Sequence, residues 1–292
     1  MEPTTTAAAV RLRPGRAEDA PELGRIIFEA FGAIAERHGY PSDFPSIEMA
    51  VRVASMLLDN PRIYSVVAEH DGRTVGSNFL AEGSTIAGIG PISVDPALQD
   101  SGVGGLMMRD VMERARSRGL PGVRLVQTAY HIRSLSLYMK LGFDAREELV
   151  VLQGPPIGVR VPAFDVRSAR AEDLDEINAV CVAVHGHDRA ADVADGLDRG
   201  ALEVVERAGR IAGYTTGVGY FSHSVATTND GLKALIGSAG RFGGLGFLLP
   251  ARNGEIFRWA LGHGLQVVQV ATLMSTGLYN EPQGAYLPSI LY

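Results

Sequence analysis

Gln99, Gly102 and Gly104 stand in a Gln-x-x-Gly-x-Gly spacing between two contrasting stretches. Before them runs a short apolar stretch with β-branched members, Ile89, Ile92 and Val94, which predicts one buried strand from Gly88 to about Pro96. After them Leu106, Met107, Val111 and Ala115 recur at helical spacing. A helix start leaves its first N–H groups without intrahelical partners and adds partial positive charge. Glycines let that backbone approach an anion closely, so the turn of Gln99, Asp100, Ser101, Gly102, Val103, Gly104 and Gly105 suits a phosphate or pyrophosphate. A plain tight turn is the alternative on this geometry alone. A nucleotide P-loop would need Lys and then Ser or Thr where Gly105-Leu106 stand, and the glycine spacing does not fit a dinucleotide fold.

A second block lies about 35 residues on, Tyr130-His131-Ile132-Arg133-Ser134-Leu135-Ser136-Leu137-Tyr138-Met139-Lys140-Leu141-Gly142-Phe143. Together the two blocks resemble the GNAT N-acetyltransferase family, whose pyrophosphate loop carries Gln-x-x-Gly-x-Gly and whose later helix ends in Leu-Tyr-x-x-x-Gly-Phe. The resemblance covers residues 11–155. It implies an α+β fold, a mixed central sheet flanked by helices, and acetyl-CoA as cosubstrate. It further implies that backbone N–H groups from Gln99 to Gly105 hold the pyrophosphate, and that Ser93 and Val94 pair with the pantetheine arm as an added strand would. Ser134, His131 and Tyr138 are then candidates for cofactor contact. Tyr138 stands at the family's tyrosine, the candidate acid for the leaving thiolate; the alternative is a tyrosine that only packs on the sheet. His131 falls where the family often has Asn and could relay a proton.

Acetyl transfer also needs a neutral amine. An alkyl ammonium has a pKa near ~10.4, so a base or a depressed pKa must supply it. Glu82, near the end of a hairpin strand, is the candidate base, and a water chain or a backbone carbonyl of residues 90–94 is the alternative.

The elements that would hold these groups can be followed along the chain. Of its 292 residues 46% are hydrophobic and 21% charged, which fits two globular domains. The net charge of −6 argues against nucleic acid and anionic membranes as partners; the basic residues of 109–118 alternate with Asp110 and Glu113 as on a solvated helix face. One cysteine, Cys181, excludes an intrachain disulfide and a thiolate metal cage. With no signal-peptide pattern and no spanning segment, a cytoplasmic location is expected.

Residues 1–10 are expected to be disordered. A strand at Arg11–Arg13 precedes a helix with Leu23, Ile26, Ile27, Ala30, Phe31 and Ile34 in its stripe, broken at Gly39-Tyr40-Pro41. Ser46 can cap a second helix that ends near Asn60-Pro61. Strands at 63–68 and 75–81 meet at the hairpin signal Asp71-Gly72. A strand over 123–127, a helix over 134–141 stopped by Gly142, and a strand at 150–152 complete the first part. Gly154-Pro155-Pro156-Ile157-Gly158 reads as a linker.

The chain then begins again. Arg13-x-x-Arg16-Ala-Glu-Asp19 is echoed by Arg167-x-x-Arg170-Ala-Glu-Asp173, Gly72-Arg73 by Gly209-Arg210, and Gly142 by Gly264. Where the glycine loop should recur the chain has residues 222–231 without paired glycines, and Ala260 matches Tyr138. The expected division is therefore an acetyl-CoA-binding domain over 11–153, a linker over 154–162 and a degenerate GNAT-like domain over 163–292. Gly237 to Gly246 is glycine-dense but precedes the apolar run Phe247-Leu248-Leu249, so a mobile connection is expected rather than a phosphate loop. His185-Gly186-His187-Asp188 carries ligand-type residues without further ligands at metal spacing, and no metal is assigned. Asn280 to Pro288 is too irregular for a core element.

The expected function is direct transfer of an acetyl group from acetyl-CoA to a small-molecule amine by the first domain. The alternatives are a non-catalytic acetyl-CoA-binding protein, or an enzyme using another acyl-CoA. A homodimer is left open, and the acceptor carries no signature.

Overall fold

A computed structural model describes residues 10–291. Most of the N-terminal stretch expected to be disordered, residues 1–9, lies outside the described residues. In chain order the first part runs β1 (Arg11–Pro14), α1 (Ala20–His38), α2 (Ile47–Asp59), β2 (Ile63–His70), β3 (Arg73–Ala81), β4 (Ile86–Ile89), β5 (Ser93–Val94), α3 (Val103–Ser117), β6 (Gly122–Thr128), α4 (Ile132–Lys140) and β7 (Asp144–Gln153). Residues 154–161 form neither helix nor strand. There follow β8 (Asp165–Ser168), α5 (Leu174–His185), α6 (Ala190–Asp198), β9 (Glu203–Arg207), β10 (Arg210–Thr215), β11 (Ser224–Ala226), α7 (Asn229–Ser238), β12 (Phe247–Pro250), α8 (Gly254–Gly262), β13 (Gln266–Gly277) and β14 (Ala285–Leu287). This is a mixed α+β architecture. No helix among the described residues is long and apolar enough to cross a membrane.

Contacts divide the chain into two compact units. Among the described residues the first comprises 10–81 and 89–119, the second 82–88 and 120–291. In the first unit β1, β2 and β3 pair antiparallel, with β5 on β3 through Gly76↔Val94 and Ser77↔Ser93. Gly76 permits that approach: a Cβ there would lie 2.6 Å from the Ser93 carbonyl oxygen. Helix α1 ends where Gly39 turns left-handed at φ 71°, and the Ser46 hydroxyl accepts from the Met49 N–H at 3.3 Å to start α2. The α1 stripe is buried at Leu23, Ile26, Ile27 and Ala30. The strand expected to run unbroken from Gly88 is divided into β4 and β5 around Gly90-Pro91, where Pro91 brings no N–H to a ladder.

In the second unit β4 and β6 are parallel, and β13 lies antiparallel between β6 and β7, with β12 on the far side of β7. A strand of the C-terminal half is thus threaded between two strands of the N-terminal half. A separate sheet has the order β14-β11-β10-β9-β8.

The repeat read from the sequence is physical. Arg13 binds Asp19 at 2.7 Å and Glu69 at 2.6 Å; Arg167 binds Asp173 at 2.7 Å and Glu206 at 2.6 Å. The carboxyls of Asp19 and Asp173 are both held below the usual carboxylate range, chiefly by the arginine hydrogen bond. Gly142 and Gly264 each end a late helix at φ 87°. The glycine-dense connection before β12, expected to be mobile, is instead held by backbone bonds, Tyr220 N–H to Gly243 O at 2.9 Å and Gly243 N–H to Val218 O at 3.1 Å.

Three histidines of the second half, His185, His187 and His223, are each no more than 5% exposed. Burial first, and then the nearby positive charge of Arg189, pushes His185 and His223 well below the usual imidazole range; burial brings His187 down to about 4. The folded chain therefore binds fewer protons than the unfolded chain below about pH 6.5, and stability falls as pH drops from there through 4. Urea unfolding at pH 5 should show a stability lower than at pH 7 by on the order of 1–2 kcal/mol for each imidazole that stays neutral. A flat profile over that interval would contradict the burial account.

Candidate functional site

The glycine loop belongs to the first unit. Asp95 accepts the Ala97 N–H at 2.9 Å, a short 3-10 turn spans Pro96–Leu98, and Gln99 leaves it extended. Asp100 (φ 67°) and Gly102 (φ 89°) are left-handed, and the Ser101 hydroxyl donates to the Leu98 carbonyl at 2.6 Å. The chain thereby reverses into α3, whose first residues are Val103, Gly104 and Gly105. Gly102 is the N-terminal cap residue and has no side chain to close that end. Asp100, Ser101 and Gly102 are exposed, with Gln99, Gly104 and Gly105 half-buried. The helix behind them is anchored by buried Met107, Met108 and Val111, by Tyr64 donating to Asp110 at 2.8 Å, and by the Asn78 amide on the Met108 sulfur at 3.4 Å. Ser93 is buried, its hydroxyl 3.3 Å from that of Ser77, and Val94 is half-buried. The loop is an exposed, uncapped helix start on a rigid base.

The second unit holds the remaining candidates. His131, Ser134 and Tyr138 share one face of α4 by their spacing of three and four. The Ser134 hydroxyl is 2.6 Å from His131 Nδ1, and its influence on the Tyr138 phenol opposes that of burial. Tyr138 is 5% exposed, its ring 6.2 Å from that of Phe143, and burial pushes its phenol up to about 12. Glu82 follows the last residue of β3, half-buried, and opens the segment leading into β4; the α4 trio is tied together without it.

One buried group was not singled out by sequence reasoning. Gln127, in β6, is 5% exposed, and neither its Nε2 nor its Oε1 has a hydrogen-bond partner among the described residues. Within the strand Gly122–Thr128 it reads as an ordinary polar alternate, and only the packed structure reveals the orphaned carboxamide.

The corresponding features of the C-terminal half are closed by the chain itself. Thr228 caps α7 by accepting the Gly231 N–H at 3.2 Å, and Asn253 caps α8 by accepting the Ile256 N–H at 3.3 Å. Asn253 also donates to the Asn229 side chain at 2.9 Å. The segment Asn280–Pro288, expected to be too irregular for a core element, instead supplies the buried strand β14, which pairs antiparallel with β11 through Val225↔Tyr286 and lies against β12. Tyr286 donates to the buried Glu147 at 3.3 Å. A cavity of about 210 Å³ is lined by Asn229, Pro250, Arg252, Asn253, Gly284 and Tyr286. That is below the ~300–1,000 Å³ of ordinary ligand pockets. His185 and His187 stack at 5.7 Å, and no group of three or more potential metal ligands occurs among the described residues.

The profile of the acetyltransferase (GNAT) family matches residues 28–143. A mycothiol acetyltransferase of Thermomonospora curvata is 33% identical over 144 residues, 49% of this chain and 46% of that protein. The match thus spans about half the length of the curated relative. The crystal structure of a GCN5-related N-acetyltransferase from Sphaerobacter thermophilus superposes with TM-score 0.62 at 16% identity, over 93% of this chain and 96% of that one. A tandem GNAT protein from the clavulanic acid biosynthesis pathway superposes with TM-score 0.55 at 14% identity, over 92% and 98%. At those identities the two structures bear on the fold alone, and they share it along nearly the whole chain.

Proposed function

We propose, for a chain whose residues 28–143 match the profile of the GNAT acetyltransferase family, that it moves the acetyl group of acetyl-CoA directly to a small-molecule amine. The observation that carries this reading is the exposed, uncapped start of α3 at Gly102, set against the self-capped α7 and α8 of the C-terminal half. An open helix start with left-handed backbone before it suits a pyrophosphate. The working division is a cofactor-binding domain over 11–153, a linker over 154–162 and a degenerate domain over 163–292. The relative from Thermomonospora curvata, a mycothiol acetyltransferase by name, supports a small-molecule acceptor.

When bound, acetyl-CoA supplies the thioester. Backbone N–H groups from Gln99 to Gly105 would hold its pyrophosphate, and Ser93 and Val94 would pair with its amide-bearing arm. Tyr138 would donate to the departing sulfur, with Ser134 and His131 fixing its hydroxyl. Glu82 is kept as the candidate base that takes the ammonium proton. Steady-state release of the CoA thiol over a panel of amines tests the reading: amine-dependent release supports it, and tight acetyl-CoA binding with no release for any amine would favour a non-catalytic binder.

Gln127 offers a test of fit. A buried carboxamide without partners destabilises a fold by about 1–3 kcal/mol, and a ligand with both an amide N–H and a C=O would satisfy it. Gln127→Leu should therefore raise Tm by several degrees. It should also weaken acetyl-CoA binding by about tenfold, the equivalent of one lost hydrogen bond. A higher Tm with unchanged affinity would mean that the orphan has no part in binding.

A further inference from the structure

The turn between α5 and α6 hides two imidazoles on either side of an exposed glycine. His185 ends α5 and His187 follows the turn, both buried, while Gly186 is open to solvent. Gly186 is left-handed at φ 73°, and a Cβ there would run into the Asn280 carboxamide, so only glycine lets the chain sit this close. The two rings stack with centroids 5.7 Å apart, and Tyr286 of β14 meets His185 edge-on at 5.0 Å. Two other segments are tied to the turn. Asp188 accepts the Thr85 hydroxyl, just ahead of β4, and the Ala190 N–H at 3.1 Å where α6 starts. Asn280 donates to the His185 carbonyl at 3.3 Å, and the Gln283 N–H donates to the Val184 carbonyl at 2.8 Å.

This packing suits neutral rings. His185 Nδ1 has no hydrogen-bond partner among the described residues, whereas an imidazolium has a donor at each nitrogen to satisfy. Two cations 5.7 Å apart would also repel each other. Arg124 of β6 and Arg189 ahead of α6 oppose a charge on either ring, and His223 is opposed in turn by His185. Of the carboxylates, Asp188 favours a charge on His187, Asp192 is bound to Arg189 at 2.9 Å, and Tyr286 gives its hydrogen to Glu147. We propose that the turn 186–189 is an acid-sensitive latch, which lifts when His185 and His187 take protons and frees Thr85 and Asn280 while the sheet of β8 to β11 stays folded. Solvent lies one residue away, at Gly186, so lifting the turn hydrates both rings without opening a strand. The latch does not depend on which group the chain transfers. A free imidazole titrates near ~6.5 and His187 in the closed turn at about 4. Between those values opening takes up a proton, so falling pH favours the open turn, by roughly 20-fold at pH 5 relative to pH 7 from His187 alone.

Hydrogen exchange of the full chain tests the latch, read at the Ala190 and Gln283 amides and corrected for the intrinsic pH dependence of exchange. From pH 7 to pH 5 the opening equilibrium at both amides should rise by roughly 20-fold or more, and the protected amides of β9 and β10 should rise by less. His187→Phe keeps a ring in the stack but takes no proton, so it should cut the rise by about 20-fold. His187→Gln serves the same purpose if the phenylalanine variant does not fold. Adding His185→Phe should leave the opening equilibrium at the two pH values within twofold of each other. An undiminished rise in these variants would overturn the inference, as would a wild type with no rise. An equal rise in β9 and β10 would overturn it too, because the whole unit and not the turn would then be opening.

Discussion

Replacing Gly102 by glutamate is expected to weaken acetyl-CoA binding by at least 100-fold and to leave the fold intact. Gly102 sits at φ 89°, where an L-residue is strained by roughly 1–2 kcal/mol, a minor part of the ~5–15 kcal/mol that ordinarily holds a domain together. A Cβ there meets nothing within 4 Å, so no clash adds to the strain. The carboxylate, however, would stand at the start of α3 where the pyrophosphate is proposed to lie. Two like charges about 5 Å apart at an effective dielectric near 20 repel by roughly 3 kcal/mol, more than a factor of 100 in affinity. Gly102→Ala carries the strain without the charge and should bind within tenfold of the wild type. Calorimetry on both variants, with Tm as the control for folding, separates the two contributions. Equal affinities for the glutamate and alanine variants would remove the anion from this loop.

Tyr138→Phe is expected to lower kcat by about 100-fold, at the low end of the ~10²–10⁴ range for acid–base groups, with acetyl-CoA affinity within twofold. The size follows from the burial of the phenol. Pushed up to about 12, it holds its proton throughout the working pH range. A thiol near ~8.5 is the stronger acid, so complete transfer from Tyr138 to the departing thiolate is uphill by roughly 5 kcal/mol in the free protein. The proposed role is therefore hydrogen-bond donation to the developing charge on sulfur. A donor is active in its protonated form, so the rate would fall on its account only as pH rises through about 12. The wild-type profile should accordingly show no alkaline limb from Tyr138 below about pH 10. An unchanged kcat in the phenylalanine variant would assign Tyr138 to packing alone.

Much of the fold was legible because local chemistry dictates local geometry. Ser46 caps α2, Gly39 and Gly142 end α1 and α4 in left-handed conformations, and Asp71-Gly72 turns the hairpin of β2 and β3. The echo of Arg13-to-Asp19 in Arg167-to-Asp173 was legible too, since both copies form the same arginine–carboxylate knot. What alternation cannot disclose is which strand lies beside which. Nothing in the residues of β13 says that it enters between β6 and β7, and a three-residue β14 is too short to show a period. The same limit applies to chemistry. The members of the loop lie within a few residues of one another, as do those of the α4 face, and their spacing makes each legible. Gln127 acquires meaning only from burial, and the turn from His185 to Asp188 only from partners 95 and 103 positions away, Asn280 and Thr85.

The central claim is that the start of α3 at Gly102 takes acetyl-CoA and that the starts of α7 and α8 in the second half, closed by Thr228 and Asn253, do not. A calorimetric titration of acetyl-CoA into the purified full chain tests it most directly. The account predicts one site per chain, lost in Gly102→Glu. Two sites per chain would contradict the reading of the self-capped α7 and α8, and the absence of any binding would contradict the reading of the glycine loop itself.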